Sequence, residues 1–383
     1  MNETRLKKLL NIMEREGLDG AFFATGPNFQ YILDCTDLKW QRLEMNNIAG
    51  VSASVVVPDC LLYVKNTGEY HLFVIPARKD DFKDEKNVHV YYMDRMLDGI
   101  ERVIEGHKFM IDMPAKQHII TMFKEFMNYE IEVFDGELLM RELRTYKDEK
   151  EIAILEDNAR FTDKAIEWVI TQFKEGMTQY EIEDILMNYA FEQGVPDFSF
   201  DPTIGFCTRG SEHAKELSFD HNRTLVEGTG IAFDIGFVRN GYCSDWGRTL
   251  FWGEAPEFLK KGYEALQAGQ LNMIKNIVPG KTNINELYGF VHEEVKRRGY
   301  EEFLRFKDRG SLGHQIGIEC HEFPMLNKSV DFVLQPGMVF CSEPKLWFPN
   351  EIYMRVEDMV LVTEDGARSL SQFDRELFEI KAK

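Results

Sequence analysis

The chain has 383 residues, enough for two domains of ordinary size, and its 44% hydrophobic and 29% charged residues are a globular composition. A net charge of −20 argues against nucleic acid as a default partner; it names no substrate, because the acidic residues are spread along the chain.

The N-terminal stretch MNETRLKKLLNIMEREG reads as a charged amphipathic helix, with Leu6, Leu9, Leu10 and Met13 at helical spacing and Gly17 at its end. It has no apolar run of the secretory kind, and no segment reaches 18 apolar residues, so neither a signal peptide nor a membrane span is expected. Six cysteines (Cys35, Cys60, Cys207, Cys243, Cys320, Cys341) show no CxxC spacing and read as reduced, buried thiols of a cytoplasmic protein. GAFFAT, VSASVVVP, LLYV and HLFVIP read as strands of one sheet, and KDDFKDEKN as a surface loop. FMID, QHIITMFKEFM and IEVFD alternate strand, helix and strand. Residues 1–142 are therefore expected to form an α/β domain, and 143–383 a second domain.

From Arg144 the texture changes. KDEKEIAILEDNARFTDKAIEWVITQFKEG predicts a long helix, and Thr178 with Glu181 a capping box opening a second one that ends at Gly194. A strand is expected around Asp201–Phe206, helices over 256–277 and 284–298, and strands again in GMVFCSE and EIYMRVEDMVLVTED. Gly228-Thr-Gly230 precedes a strand and opens no helix, so it is not a dinucleotide loop.

Between the two helix pairs lies IAFDIGFVRNGYCSDWGRTL. Asn240-Gly241 predicts a two-residue hairpin turn, since both residues tolerate the positive φ of a type I′ turn. That register puts Asp245 opposite Gly236, on the face of Asp234 and one diagonal step, roughly 7–8 Å, away. Two like charges on a mostly apolar face repel and cost desolvation. Either one Asp faces solvent at a frayed end, or a divalent cation neutralises both.

Three further segments set polar residues among apolar ones. SLGHQIGIECHEFP carries His314 and His321, GMVFCSEP ends in Glu343, and YMRVEDMVLV puts Arg355 and Glu357 on one strand face with Asp358 on the other. A Glu in that apolar strand must pair, with Arg355 as candidate, or bind metal. Asp234, Asp245, His314, Glu343 and Glu357 together make an oxygen-rich, hard site that suits Mn²⁺ and related ions. Four carboxylates are too many for one catalytic ion and suit two, roughly 3.5–4 Å apart, bridged by a water that becomes hydroxide near neutral pH.

The ordered set DIG, CSD, GH, HEFP, SEP and RVED resembles the pita-bread metallopeptidases, the family of methionine aminopeptidase, aminopeptidase P and prolidase. The resemblance covers nearly the whole chain; the N-terminal domain is similar to that of prolidase and aminopeptidase P. It implies an α+β architecture: a C-terminal pita-bread (creatinase/aminopeptidase) domain behind an N-terminal α/β creatinase-like domain. It implies a dinuclear metallopeptidase acting on peptides with proline in second position, with those five residues as ligands and Asp245 and Glu357 touching both ions. Mn is the expected metal, with Co, Zn or Fe as alternatives. His321 would bind substrate and the developing oxyanion, Glu343 would shuttle a proton, and Arg355 would orient the carboxylates beside the substrate. His213, in RGSEHA, matches the family's loop histidine, with His221 in FDHN as competitor. The resemblance further implies a homodimer in which the loop around Trp40, in DCTDLKWQRLEMNNIAG, caps the partner's active site. Gln315, Lys345 and Gly247 depart from the family, which usually has Gly, Gly and Thr or Ser there. Two other readings stand beside the Xaa-Pro peptidase: a creatinase-like hydrolase or lyase of a small amide, and a metal-free binding protein like the family's histone-chaperone relatives. Retention of all five ligands argues against the last.

Overall fold

The computed structural model describes residues 1–35, 60–92, 95–112, 116–121, 123–124, 127–216 and 220–380. The predicted strand VSASVVVP and the Trp40 loop lie outside the described residues. The chain divides into two compact units, Met1–Arg144 and Thr145–Lys383. None of the described helices is long and apolar enough to cross a membrane.

The first unit holds a six-stranded sheet in the order Val88–Val90, Tyr70–Val74, Cys60–Lys65, Gly20–Ala24, Lys108–Ile111, Glu132–Asp135. The Gly20–Ala24 strand is its hinge of direction: antiparallel to Cys60–Lys65, parallel to Lys108–Ile111. Its residues are buried throughout, which is why GAFFAT reads as an unbroken apolar run rather than an alternation. Phe22 stacks on Tyr63 at 4.5 Å and meets Phe109 and Phe123 edge-on, giving the unit its own aromatic core.

In the second unit the helix at Thr178 opens with the predicted capping box, and the one before it has a box that was not expected. Asp148 accepts from the Glu151 amide while the Glu151 carboxylate accepts from the Asp148 amide, and Thr178 and Glu181 repeat the arrangement. The helices run Glu149–Ile170 and Gln179–Glu192; a second pair spans Glu257–Asn276 and Ile284–Arg297. The predicted first helix stops six residues short of Gly176, in a turn through Thr171.

The large sheet runs Glu322–Leu326, Gly313–Gln315, Val339–Ser342, Tyr353–Val362, Trp246–Trp252, Thr229–Ile235, Thr203–Thr208. One face is covered by the helices. Ile231, Phe233, Ile235, Trp246 and Leu250 join the core under the first helix pair, and Phe340, Met354, Val356 and Val360 the core under the second. Side chains alternate across a strand, so Asp234, Gly247, Cys341, Arg355 and Glu357 fall on the other face. Asp358 and Arg248 share the helix face and pair there, with Arg375 as the carboxylate's second partner.

Candidate metal centre

The two aspartates are placed by the hairpin. Asn240 and Gly241 have φ of 50° and 78°, and Arg239 pairs with Tyr242 across them. The same register continues into the main sheet as Gly247 opposite Asp234, so Asp245 stands one diagonal step from Asp234. Gly247 also pairs with Glu357 on its other side, which puts a residue without a side chain between two carboxylates. A Cβ there would lie 2.5 Å from Arg355 Cδ and 2.9 Å from Glu357 Oε2. The bare position is what lets the Arg355 stem cross to Asp234, which it contacts together with Glu357 (3.3 Å) and Glu343 (3.9 Å).

His314 sits on the short strand Gly313–Gln315, directly opposite Cys341. Gly313 is obligatory there: φ is 150°, and a Cβ would lie 1.9 Å from the Cys341 carbonyl oxygen. His314 Nδ1 donates to the Gln315 carbonyl oxygen at 3.0 Å, because a carbonyl can only accept. The other nitrogen, Nε2, therefore faces Asp245 Oδ2, 3.4 Å away, with its lone pair available to a cation. Glu343 follows the strand Val339–Ser342, its amide donating to the Leu312 carbonyl, and its carboxylate touches Lys345.

One oxygen of Asp245, one nitrogen of His314, one sulfur of Cys341 and one oxygen of Glu357 lie within 4.8 Å of one another, all four residues buried. The charges there are unbalanced. Burial, then Asp245 and Glu343, push the Glu357 carboxyl well above its usual range, Arg355 offsetting only part of this. Burial likewise raises Asp234, against the pull of Arg355, with Asp245 and Glu343 adding to the rise. Burial disfavours the His314 imidazolium, yet the Asp245 carboxylate outweighs it and raises the imidazole. Asp245 Oδ1 is buried with no hydrogen-bond partner. A converging O, N, O set with excess negative charge and an orphaned oxygen fits a divalent cation. Of the five residues expected from sequence, Asp245, His314 and Glu357 converge directly; Asp234 and Glu343 adjoin them, held by Arg355 and Lys345.

His321 stands at the exposed edge of this group, its ring 4.0 Å from that of His314, and its imidazole is lowered by burial and by His314. His314, Cys320 and His321 form a second group of the same compactness. A cavity of about 270 Å³ opens beside Asp234 and Arg355, with Thr203, His221, Arg305 and Tyr353 among its walls. His213, on the short helix Glu212–Glu216, does not line it; His221 does, stacked on Tyr180 and bonded through Nδ1 to Glu183 Oε2 at 3.0 Å. Arg305 packs on the rings of Phe306 and Tyr353 and has no acidic partner among the described residues.

Three features escaped sequence reading. Gln315 and Glu322 together hold the buried ammonium of Lys147, at 3.2 and 3.0 Å, which accounts for an amide where the family usually has Gly. Cys320 reaches Asp245 Oδ2 at 3.4 Å, and Cys341 joins the converging group. The signal for both cysteines was present: each stands within three residues of a motif histidine or glutamate.

The description of metallopeptidase family M24 matches residues 153–364. The chain is 28% identical to a Xaa-Pro dipeptidase of Pyrococcus horikoshii over 379 residues, 98% of this chain and 99% of that protein. It is 28% identical to a Xaa-Pro dipeptidase of Pyrococcus furiosus over 375 residues, 97% and 99% of the two chains. Among solved structures it matches the prolidase from P. horikoshii (TM-score 0.79, 24% identity, 98% of this chain and 100% of that one). It also matches an X-Pro aminopeptidase from Thermotoga maritima (TM-score 0.77, 20% identity, 98% and 99%). The fold is thus the α+β pita-bread fold preceded by an N-terminal domain.

Proposed function

The chain belongs to metallopeptidase family M24, and we propose that it hydrolyses the bond before proline in dipeptides or short peptides, as an Xaa-Pro dipeptidase or an aminopeptidase P-like enzyme. The observation that carries this reading is the convergence of Asp245, His314 and Glu357 on one sheet face, in a chain similar over nearly its full length to two Xaa-Pro dipeptidases.

We assign Asp234, Asp245, His314, Glu343 and Glu357 as ligands of two divalent ions; such oxygen and nitrogen donors suit Mn²⁺, the expected metal, and also accept Co²⁺, Zn²⁺ or Fe²⁺. When bound, the ions polarise the scissile carbonyl and activate water. The chain's own residues do the rest. Arg355 holds Asp234 and Glu357 in orientation. His321, at the open edge, donates a hydrogen bond to the carbonyl oxygen as charge develops on it. Glu343 passes a proton to the leaving proline nitrogen. Arg305, without an acidic partner among the described residues, supplies positive charge for the free carboxylate of a short substrate. His221, rather than His213, contributes the histidine of that wall.

The six free cysteines support a reducing, cytoplasmic setting. The N-terminal domain is proposed to form a homodimer and cap the partner's site through the Trp40 loop. Light scattering should then give about twice 44.7 kDa, and a fully active monomer would refute it. A creatinase-like hydrolase is the second reading, favoured by the contact of Lys345 with Glu343, where the family usually has Gly.

The test is a panel of Xaa-Pro and Xaa-Ala dipeptides and small amides offered to chelator-stripped full chain with and without Mn²⁺ or Co²⁺. Free proline released only with metal is the expected result. Equal cleavage of Xaa-Ala, or cleavage of small amides alone, overturns the proline specificity, and full activity in metal-free protein overturns the metal.

A further inference from the structure

Cys341 is fully buried on the strand Val339–Ser342, cross-strand from His314 on one side and from Met359 on the other. Alternation puts it on the face of Glu343 and Glu357 rather than in the helix-covered core, where its neighbour Phe340 goes. Its sulfur is one of the four donor atoms that lie within 4.8 Å of one another. No hydrogen bond among the described residues holds it. The four donors are one thiol sulfur, one imidazole nitrogen and two carboxylate oxygens. That is the count of a tetrahedral zinc site, each donor is of a type that zinc takes, and such donors sit roughly 3.3–3.8 Å apart at ordinary Zn–S, Zn–N and Zn–O lengths. A contraction of about 1 Å, within side-chain rotation, brings the group to that size. Cys320 plays a different part: its thiol donates to Asp245 Oδ2 and so fixes the carboxylate from outside the four.

We propose that Cys341 is itself a metal ligand, so that one position of this centre is held by Asp245, His314, Glu357 and the Cys341 thiolate and takes a thiophilic divalent ion, zinc or cobalt, in preference to manganese. On binding, the S–H bond breaks, sulfur keeps the electron pair and gives it to the ion, and the proton leaves to solvent. Softness decides the selectivity: imidazole and carboxylate accept Mn²⁺ and Zn²⁺ alike, whereas thiolate discriminates strongly between them. The inference rests on reading the carboxylate cluster as a metal centre.

The probe is Co²⁺ added to chelator-stripped full chain, read by absorption without reference to turnover. A thiolate-to-cobalt charge-transfer band in the near ultraviolet is expected in the wild type and in Cys320→Ser, and is lost in Cys341→Ser while the visible cobalt bands remain. Zn²⁺ affinity should fall about 10–100-fold or more in Cys341→Ser, with Mn²⁺ affinity changing far less. X-ray absorption of the wild type loaded with a single equivalent of zinc should show one sulfur at about 2.3 Å, a readout that needs no variant to fold. Cobalt or zinc bound with no sulfur neighbour, or a band that survives Cys341→Ser or disappears in Cys320→Ser, overturns the assignment of Cys341 and leaves the metal centre standing. A wild type that binds no Co²⁺, Zn²⁺ or Mn²⁺ overturns both.

Discussion

Gly247 should be a sensitive small residue of the centre, because its clash falls on the arginine that serves the carboxylates. It is buried between Asp234 and Glu357, and its missing side chain is the space through which Arg355 passes. Gly247→Ala adds one carbon, which would meet Arg355 Cδ at 2.5 Å, Glu357 Oε2 at 2.9 Å and Glu357 Cβ at 3.0 Å. Relaxed contacts between non-bonded heavy atoms are roughly 3.5–4.0 Å, so Arg355 must move. Overpacking of this kind costs about 1–3 kcal/mol. In a unit of this size each kcal/mol lowers Tm by roughly 2–4 °C, so the fall should be about 2–12 °C. The displaced guanidinium also leaves Asp234 and Glu357 less neutralised, so the variant should depend more heavily on a bound cation. Thermal unfolding of both proteins in chelator and in Mn²⁺ reads the two effects separately: a lower Tm in chelator, and a wider gap between chelated and metal-loaded forms. Gly247→Thr, which installs a residue usual in the resembling family, should do the same and more. An alanine variant with the wild-type Tm in chelator and the wild-type gap would show that Arg355 does not need this space, and the account of the departure would fail.

Glu343→Gln keeps the shape but removes the base, and kcat should fall about 10²-fold or more; near wild-type turnover contradicts the shuttle role. His321→Ala should lower kcat while metal content, measured by elemental analysis, stays at the wild-type level, because its ring acts on substrate; loss of metal would make it a ligand instead. Asp358 is fully buried between Arg248 and Arg375, and Asp358→Asn should cost about 3–5 kcal/mol by leaving buried positive charge unpaired. Burial acts to raise the Asp358 carboxyl, but the two arginines outweigh it and hold it below the usual range. Its contribution is therefore complete above the ordinary carboxylate pKa of about 3.9 and lost as pH falls through the depressed native value. The Tm difference between wild type and Asp358→Asn should be constant near neutrality and shrink in acid; a difference that persists unchanged to strongly acid pH would place the stabilisation elsewhere.

The part of this centre that sequence could reach is the part set by short-range rules. Asn240-Gly241 fixes a turn, the turn fixes a register, and the register fixes which face each Asp takes. The period of two in Tyr353–Val362 separates Glu357 from Asp358, and the structure gives each its own chemistry: Glu357 goes to the crowded carboxylate face, and Asp358 to a pair of arginines under the helices. What sequence could not reach depends on partners distant in the chain. Lys147 explains Gln315 across 168 positions, and no periodicity links them. The exchange at Gly247 looked like a loss of a side chain, and only the register of three adjacent strands shows that Arg355 occupies the vacated volume.

That exchange also bears on why the carboxylates differ among themselves. Arg355 and Lys345 take the two outer ones, Asp234 and Glu343, while Asp245 and Glu357 are left deepest and least compensated. A cation entering the face therefore gains most at Asp245, His314 and Glu357, where no protein cation competes at full strength, and must displace Arg355 or Lys345 to recruit the outer pair. The two positions of a dinuclear centre would accordingly fill in order. Titration of metal-stripped protein with Co²⁺ should show two unequal steps, and replacing Lys345 with Gly, the family's usual residue, should strengthen the weaker step while leaving the stronger one in place. Two equal steps, or a Lys345→Gly variant that changes the tighter site, would mean that protein cations do not set the order.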